Sequence, residues 1–587
     1  MFEKEYLRLK TILCIVLLLI LSFSFHNYLA QKNGISFQEG QTLAIANTSE
    51  DLEKSPYNSA IYNTAIMQSN IVEQPYFISM YYIGHYVLDY ALHPDNCELL
   101  LHNAESYSTG TFISNRYYTN LLCVNLDNTF HYKTVMKNCI NSQRPPIYYM
   151  LLHTISSMFG YIHWFRMGFF INAIFFILSC FTLLSIGKWY FHSHWVGFTG
   201  ALLYALSLGC FSGSICSNPY IMTSFFILFL LSQHLASLRQ EHSNQFLWGV
   251  IVFINILGNL TDYCYCLFGV AICVSYCIAL KILNRTNEIL PYIGIQLLSL
   301  VFTSFIYPAS ILHLGTMLIK GFYYLVYDFE LFLYYVRCIS NLTILEGQLF
   351  MHTGVIIFLF LAVFIVMTIF FKKGSLMEHI KNFCNRMATG DMADLFVPFV
   401  LVLYFFEICF FYTEDYYFVL LTLIPLISIL VTYLSYRLCY TTLHSEFNSG
   451  IFGVAFTFVL CFTSIVTSTP DYLYADNKTY ITFAAEHANE YCIFLSSPTL
   501  IPAEHILELE KYGHSLVLRT DHLKSIKKSK ALKKQDHVIV YLSQEHYNDG
   551  TIEKLAKYGN FNITAQLTHY KDEHNRYVYI YQLSKVN

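Results

Sequence analysis

Apolar runs of about twenty residues recur along most of this chain and constrain its fold more than any other feature. About twenty apolar residues in a helix cross the roughly 30 Å core of a bilayer. Only 13% of the residues are charged, about half the share in a soluble domain. The sequence predicts an α-helical polytopic membrane protein with about eleven transmembrane helices, at 11–30, 165–187, 195–213, 219–238, 246–262, 264–281, 289–309, 350–371, 395–412, 416–436 and 450–468.

The first apolar run could be mistaken for a signal peptide, because Lys4, Arg8 and Lys10 precede it. A signal peptide has an apolar region of about 7–15 residues followed by a small-residue cleavage site. This run, 11–30, is longer, and no such site follows it cleanly. The sequence therefore predicts a retained first helix.

The distribution of Lys and Arg predicts the orientation, because cytoplasmic loops carry the excess of these residues. The short connections near 214–218, 263 and 413–415 contain neither residue, whereas the alternate connections are basic. The chain is thus predicted to be a multi-pass plasma-membrane protein with a cytoplasmic N-terminus and an extracytoplasmic C-terminal domain.

Residues 1–469 form the predicted transmembrane domain, and a large first extracytoplasmic loop occupies 31–164. Its apolar stretches Phe77–Leu92 and Ile147–Phe159 are too short to span and are predicted as interfacial helices. A second, shorter outer loop is predicted at about 310–347.

The C-terminal segment, 470–587, alternates between period-two and helical patterns, which predicts a small extracytoplasmic α/β domain. No glycine-rich phosphate loop or metal-ligand pattern occurs in it. The predicted strands and helices are Tyr491–Leu495, Ala503–Tyr512, Ser515–Arg519, His537–Leu542, Thr551–Tyr558 and a hairpin over Thr564–Leu583.

Two motifs at the ends of the first loop point to a family. Phe37-Gln38-Glu39-Gly40 begins a segment that runs to Asn47, and Arg144-Pro145-Pro146-Ile147-Tyr148-Tyr149 lies near the loop's end. They resemble loop signatures of the C-type membrane glycosyltransferases, in particular bacterial members of the protein O-mannosyltransferase branch. Weaker matches follow in order at Leu257–Tyr265, Tyr307–His313 and Asp415–Tyr417 with Pro425.

The resemblance implies inverting transfer of a sugar from a polyprenyl-phosphate donor to a glycan, lipid or protein acceptor. Glu39 is the candidate catalytic base, because a positioned carboxylate can take the proton of an acceptor hydroxyl. Membrane lipids are further expected partners. The candidate substrate-binding residues are Gln38, Arg144, Tyr148, Asp262, Lys320, Arg337 and Asp415.

No metal-ligand set is predicted, and a divalent cation is left open as a cofactor. Nucleic acid is not an expected partner, because the net charge is −4 and no basic tail occurs.

The chain departs from the family pattern at several positions. Gln38 stands where the family has its usual Asp, Arg144 where it has His, and Asp262 where it has the His of Leu-Thr-His. Tyr416 replaces the Arg of Asp-Arg-Tyr. The alternative hypothesis is therefore a catalytically degenerate relative that binds lipid-linked glycan or scaffolds an envelope assembly.

Overall fold

The structure is a computed structural model of the 587-residue chain. It describes residues 27–50, 52, 55–57, 61–62, 99–100, 107–159, 167–239, 245–323, 330–350, 393–412, 416–443, 445–467, 473–474, 477–571 and 576–586. Almost all of the predicted span 350–371, most of the span 11–30 and the predicted interfacial helix Phe77–Leu92 lie outside these residues.

The chain divides into two compact units. The helical unit comprises Met1–Tyr28, Ser69–Leu92 and Gly168–Asp471, and the mixed unit comprises Leu29–Gln68, His93–Met167 and Tyr472–Asn587. Residues of the first predicted loop thus fall in one unit with the C-terminal segment.

Helices account for most of the described chain. The mixed unit begins with four of them: α1 (Phe37–Asn47), α2 (Asn115–Leu122), α3 (Tyr132–Asn141) and α4 (Ile147–Phe159). The interfacial helix predicted at Ile147–Phe159 therefore forms as a helix. The helices that follow are α5 (Met167–Tyr190), α6 (His194–Leu206), α7 (Leu208–Ile215), α8 (Tyr220–Leu238), α9 (Gln245–Asn259), α10 (Cys264–Ile282), α11 (Ile289–Ile306), α12 (Ala309–Tyr323), α13 (Leu331–Phe350), α14 (Ala393–Phe411), α15 (Tyr416–Leu420), α16 (Ile424–Leu443) and α17 (Glu446–Thr467).

Several of these helices are long and apolar enough to cross a bilayer. Among the described residues, Met167–Tyr190, Tyr220–Leu238, Cys264–Ile282, Thr286–Ile306 and Tyr417–Arg437 meet that condition. Many of their side chains are exposed apolar groups, such as Phe181 at 56% and Phe305 at 57%, which fits a lipid surrounding. The chain is a helical membrane protein, as the apolar runs predict.

One predicted span, 195–213, is bent. Helices α6 and α7 meet at 58°. Ser207 at the break is extended, and its Oγ accepts from Cys210 N while it donates to Tyr204 O at 2.8 Å. The serine hydroxyl therefore makes one hydrogen bond to the end of α6 and one to the start of α7. Hydropathy alone does not predict such a break within an apolar run.

The span predicted at 416–436 agrees with Tyr417–Arg437, which is long and apolar enough to cross a bilayer, with a short turn between α15 and α16 inside it. One further boundary differs from the prediction. The segment 310–347, predicted as a loop, is largely helical, because α12 and α13 cover most of it.

The C-terminal segment of the mixed unit contributes five strands, and the first predicted loop one strand, to a six-stranded mixed sheet, which confirms the predicted α/β character. Its order is β3-β5-β4-β6-β8-β7, and β4 is parallel to both β5 and β6. Helices α18 (Asn477–Glu486), α19 (Ile506–Leu509) and α20 (Thr551–Gly559) accompany it. The strands are β3 (Ile113–Ser114), β4 (Tyr491–Ser496), β5 (His514–Arg519), β6 (His537–Ser543), β7 (Phe561–Lys571) and β8 (Tyr577–Lys585), and a separate pair joins β1 (Ile61–Tyr62) to β2 (Leu99–Leu100).

Helix α20 covers one face of this sheet, where Phe112 of the first loop also packs, and further first-loop residues contact the opposite face. Ile493, Leu495 and their neighbours on one face form a core with Ile552 and Leu555 of α20. On the other face, Ser515 Oγ lies 2.7 Å from Tyr118 OH of α2. Strand β3 of the first loop completes the sheet edge, because Ile113 pairs with Ser515. The central strands are buried on both faces, as expected for parallel strands.

Candidate functional site

Helix α1 positions Glu39, the predicted base. Ser36 begins the helix, and its Oγ accepts a hydrogen bond from Glu39 N at 3.1 Å. Ser36-Phe37-Gln38-Glu39 has the spacing of a capping box, in which a Ser and a Glu three residues later begin a helix. A carboxylate in the first helical turn is also stabilised by the helix dipole. Glu39 therefore has a structural role at the helix start beside any role in catalysis.

Glu39 forms a buried ion pair with Lys32. The Nζ of Lys32 donates to Glu39 Oε2 at 2.8 Å, and the two side chains are 0% and 1% exposed. The ammonium group also lies 5.8 Å from the ring centroid of Tyr474. Because ions lose their hydration on burial, each charge here depends on the other.

Tyr57 is influenced by Glu39 and by the carboxylate of a second ion pair, Glu504 with Arg576. The Tyr57 hydroxyl is buried and donates to Ala503 O at 3.1 Å. Burial, and then the negative charges of Glu39 and Glu504, raise the pKa of this hydroxyl. Glu504 in turn lies 3.8 Å from Arg576. Tyr57 thus stays a neutral hydroxyl under the influence of two carboxylates of the mixed unit.

Side chains from α3, α4 and the preceding loop hold the carboxyl end of α1. The last carbonyls of a helix have no partner within it. Asn138 Nδ2 donates to Ile45 O and Thr48 O, and His153 Nδ1 lies 2.8 Å from Ala46 O. Asn128 Nδ2 donates to Asn47 O at 3.0 Å. Helix α1 is therefore fixed at both ends, which gives Glu39 a defined position.

The mixed unit brings together four of the predicted site residues. Gln38 is half-buried and precedes Glu39 in α1. Arg144 is half-buried, and its backbone N donates to Cys139 O at 2.9 Å. Tyr148 is fully buried in α4, where its ring meets that of Tyr149 edge-on. Helix α1 packs against α2, α3 and α4, so these residues belong to one packed group of helices.

The other predicted residues belong to the helical unit. Asp262 is 2% exposed, and its Oδ1 accepts from Cys264 N at 2.9 Å, where it begins α10. Arg337 of α13 donates through Nη1 to Cys409 O at 3.2 Å. Lys320 lies within α12. Asp415 and the side chain of Lys320 lie outside the described residues. The contact of Asp262 is that of a helix-capping residue.

Two residues near Glu39, the charged Lys32 and the neutral Tyr57, are absent from the sequence prediction. Lys32 follows the first apolar run closely, where a lysine usually places its ammonium group in water. The capping-box spacing marks Glu39 as a helix-start residue, but no sequence spacing marks its partner. The groups within the described ranges include no cluster of three or more His, Cys, Asp and Glu side chains placed to hold a metal ion.

No family model matches the sequence, and no curated protein matches it. Among solved structures, the chain is similar to the crystal structure of ArnT from Cupriavidus metallidurans bound to undecaprenyl phosphate, at 11% identity and a TM-score of 0.42. That match covers 74% of this chain and 87% of the other. The apo structure of the same protein matches at 10% identity and a TM-score of 0.42, over 86% of this chain and 97% of that one.

The Archaeoglobus fulgidus oligosaccharyltransferase in complex with zinc and sulfate also matches, at 12% identity and a TM-score of 0.36. This match covers 74% of the present chain and 64% of the other. At these identities and TM-scores the likeness carries no argument about function.

Proposed function

We propose that this protein is a membrane glycosyltransferase that transfers a sugar from a polyprenyl-phosphate donor to an acceptor at the outer face of the membrane. The observation that carries the proposal is the buried Lys32–Glu39 pair, which follows the first apolar run and lies at the start of a helix fixed at both ends. The motif resemblance around Glu39 and Arg144 supports the same reaction class. The protein O-mannosyltransferase branch and the inverting outcome stay expectations from the sequence.

In the proposed reaction, the acceptor oxygen attacks the anomeric carbon of the sugar and its proton passes to the Glu39 carboxylate. The bond from that carbon to the phosphate oxygen breaks, and the electron pair leaves with the polyprenyl phosphate. A cation beside the leaving phosphate stabilises the charge that develops on it. Lys32 is a candidate for this role, because a phosphate can compete with Glu39 for its ammonium group. Such an exchange would also release the carboxylate to act as a base.

A second candidate function is binding of a lipid-linked glycan without transfer. One observation favours it: the Glu39 side chain is 1% exposed and already engaged by Lys32. A base must come within hydrogen-bond reach of the proton that it takes. If the pair never opens, Glu39 stabilises the fold and the protein acts as a binder.

The test is release of polyprenyl phosphate by the purified full chain, supplied with a panel of polyprenyl-phosphate sugars and acceptors. Glu39→Gln removes the base, and we expect the rate to fall about 10²–10⁴-fold. This variant alone leaves the Lys32 ammonium buried and unpaired, which costs about 3–5 kcal/mol. The double variant Lys32→Met with Glu39→Gln leaves no buried unpaired charge, so a loss of rate in the folded double variant reports lost chemistry of the pair and not lost stability.

Glu50→Gln is the matched control, because Glu50 is a carboxylate near α1 that accepts from Asn120 Nδ2. We expect this variant to keep the wild-type rate. A folded double variant with wild-type turnover would exclude Glu39 as the base. A wild-type protein that binds the donors but turns over none supports the second function, and a gain of activity in Gln38→Asp would mark the native site as degenerate.

A further inference from the structure

The C-terminal sheet carries a dense group of lysines that the proposed reaction does not use. Six of the eleven residues in 524–534 are lysines, although Lys and Arg together number 35 in the 587-residue chain. All six are exposed. We call this group the lysine surface: Lys524, Lys527, Lys528, Lys530, Lys533 and Lys534.

The fold accounts for the apolar residues of this segment but not for its lysines. The segment forms two 3-10 helices, Thr520–Lys528 and Leu532–Lys534. Leu523, Ile526 and Leu532 are buried in the core beneath the sheet. Those three residues anchor the segment, whereas any polar residue would serve at the exposed positions between them. The concentration of one charge there has no structural reason.

The positive charge of this surface is not neutralised within the described part of the chain. None of the six ammonium groups lies in an ion pair with a described carboxylate, whereas nearby Asp521 is paired with Arg519 at 2.8 Å. Lys527 lies 4.7 Å from the ring centroid of Tyr558, a contact that keeps its charge. Clustered like charges repel one another, and a field of one sign attracts an oppositely charged partner.

The anchors of the lysine surface belong to the core that includes Ile552 and Leu555 of α20. Phe112 of the first loop packs against this core as well. The other first-loop contacts are on the opposite face, where Tyr118 meets Ser515 and Ser496 Oγ donates to Tyr107 O. Among the described residues, none of these contacts covers the six lysines, which stay exposed.

We propose that the lysine surface binds an extended polyanion, a polymer that carries phosphate or carboxylate groups along its length. Lysine presents a flexible point charge and does not fix the geometry of one anion as a guanidinium fork does. The six lysines are spread over two short helices and the connection between them, so the lysine surface offers several successive charges and not a site for one anion. This binding does not depend on the transfer reaction proposed above.

The test uses the full chain in nanodiscs of neutral lipid, with long-chain inorganic polyphosphate as the probe. The variant Lys524→Gln, Lys528→Gln, Lys530→Gln removes three charges from the surface. The matched control, Lys478→Gln, Lys511→Gln, Lys554→Gln, removes three charges from the same unit outside the surface. We expect the surface variant to bind about tenfold more weakly or worse, because exposed ion pairs are each worth up to about fivefold. The control should stay within about twofold, and raised salt should weaken wild-type binding.

Equal weakening in the two triple variants, or no binding of polyphosphate by the wild type, would overturn the proposal. A second measurement tests the bilayer as the alternative partner. Amine labelling of the six lysines is compared between neutral and anionic nanodiscs without polymer. The same labelling is done in neutral nanodiscs with polyphosphate. If anionic lipid protects the lysines and polyphosphate does not, the partner is the membrane surface and the polymer proposal is wrong.

Discussion

At the scale of single residues, the mixed unit buries ionisable groups in two ways. Lys32 and Glu39 are buried as an ion pair, so each keeps the other charged. His153 is fully buried, and its Nδ1–H donates to the carbonyl of Ala46. Burial lowers the pKa of His153 below its usual value. The histidine is therefore kept as a neutral donor, and its protonation opposes the fold.

The His153 environment predicts the pH dependence of stability. Because the folded pKa is lowered, the unfolded chain binds the proton more readily below the usual histidine pKa of about 6.5. The free energy of unfolding should thus fall as pH drops through that value. The variant His153→Gln retains an amide donor for Ala46 O but cannot titrate. Its free energy of unfolding should therefore fall less than that of the wild type as pH drops. Thermal unfolding of both proteins at about pH 7.5 and 5.5 measures the difference, and identical pH dependence would exclude His153.

At the scale of elements, α1 shows how side chains outside a helix fix it. The last carbonyls of α1 have no hydrogen-bond donors within the helix. Amide and imidazole groups from α3, from α4 and from the loop before α3 donate to them instead. Asn138 contributes most, because one amide nitrogen donates to two carbonyls, at 3.2 and 3.0 Å. The position of Glu39 at the opposite end of α1 therefore depends on a residue about a hundred positions later.

Asn138→Ala tests this dependence. The change leaves two buried carbonyls without their donor, and each unsatisfied group costs about 1–3 kcal/mol. We expect the melting temperature to fall and transfer activity to fall with it. Asn141→Ala in the same helix is the control, because Asn141 Oδ1 makes no hydrogen bond in the described structure. Equal melting temperatures for the two variants would contradict the role of Asn138.

Elements with a regular pattern were predictable from the sequence, and those made by tertiary contacts were not. The strands at Tyr491 and His537 are short apolar runs in the sequence and occur within a residue or two of the prediction. Strand β3 has only two residues and forms because β5 lies beside it. The break at Ser207 depends on a hydroxyl within an apolar run. Likewise a sequence motif marks Glu39 as a site residue, but only the folded structure shows that Lys32 is its partner.

At the scale of the whole molecule, the helices long enough to cross a bilayer and the mixed sheet establish a membrane protein with a non-membrane part. The orientation stays a prediction from the positions of Lys and Arg. The same is true of the domain boundary at residue 470. The orientation of the C-terminal segment depends on the total number of spans, because each additional span reverses the side on which the C-terminus lies.

Topology reporters test that orientation. Fusions at Lys373 and at Lys528 should report opposite sides of the membrane, with Lys373 cytoplasmic and Lys528 outside. The reason is that basic residues flank the predicted cytoplasmic ends, whereas the short outer connections have none. A fusion at Arg239, another predicted cytoplasmic position, is the control and should agree with Lys373. If the fusions at Lys373 and Lys528 report the same side of the membrane, the eleven-span prediction is wrong.

Strand β3 joins the beginning of the chain to its end, and this has a consequence for the order of events during synthesis. Ile113 pairs with Ser515, about four hundred residues further along. At roughly 5–20 residues per second, translation needs on the order of 20–80 s to supply that partner. During this time the loop holding Glu39 exists without the sheet that it later joins. A ribosome that stops before residue 515 should therefore leave an immature loop that proteases cut, even though every residue of that loop has already been made.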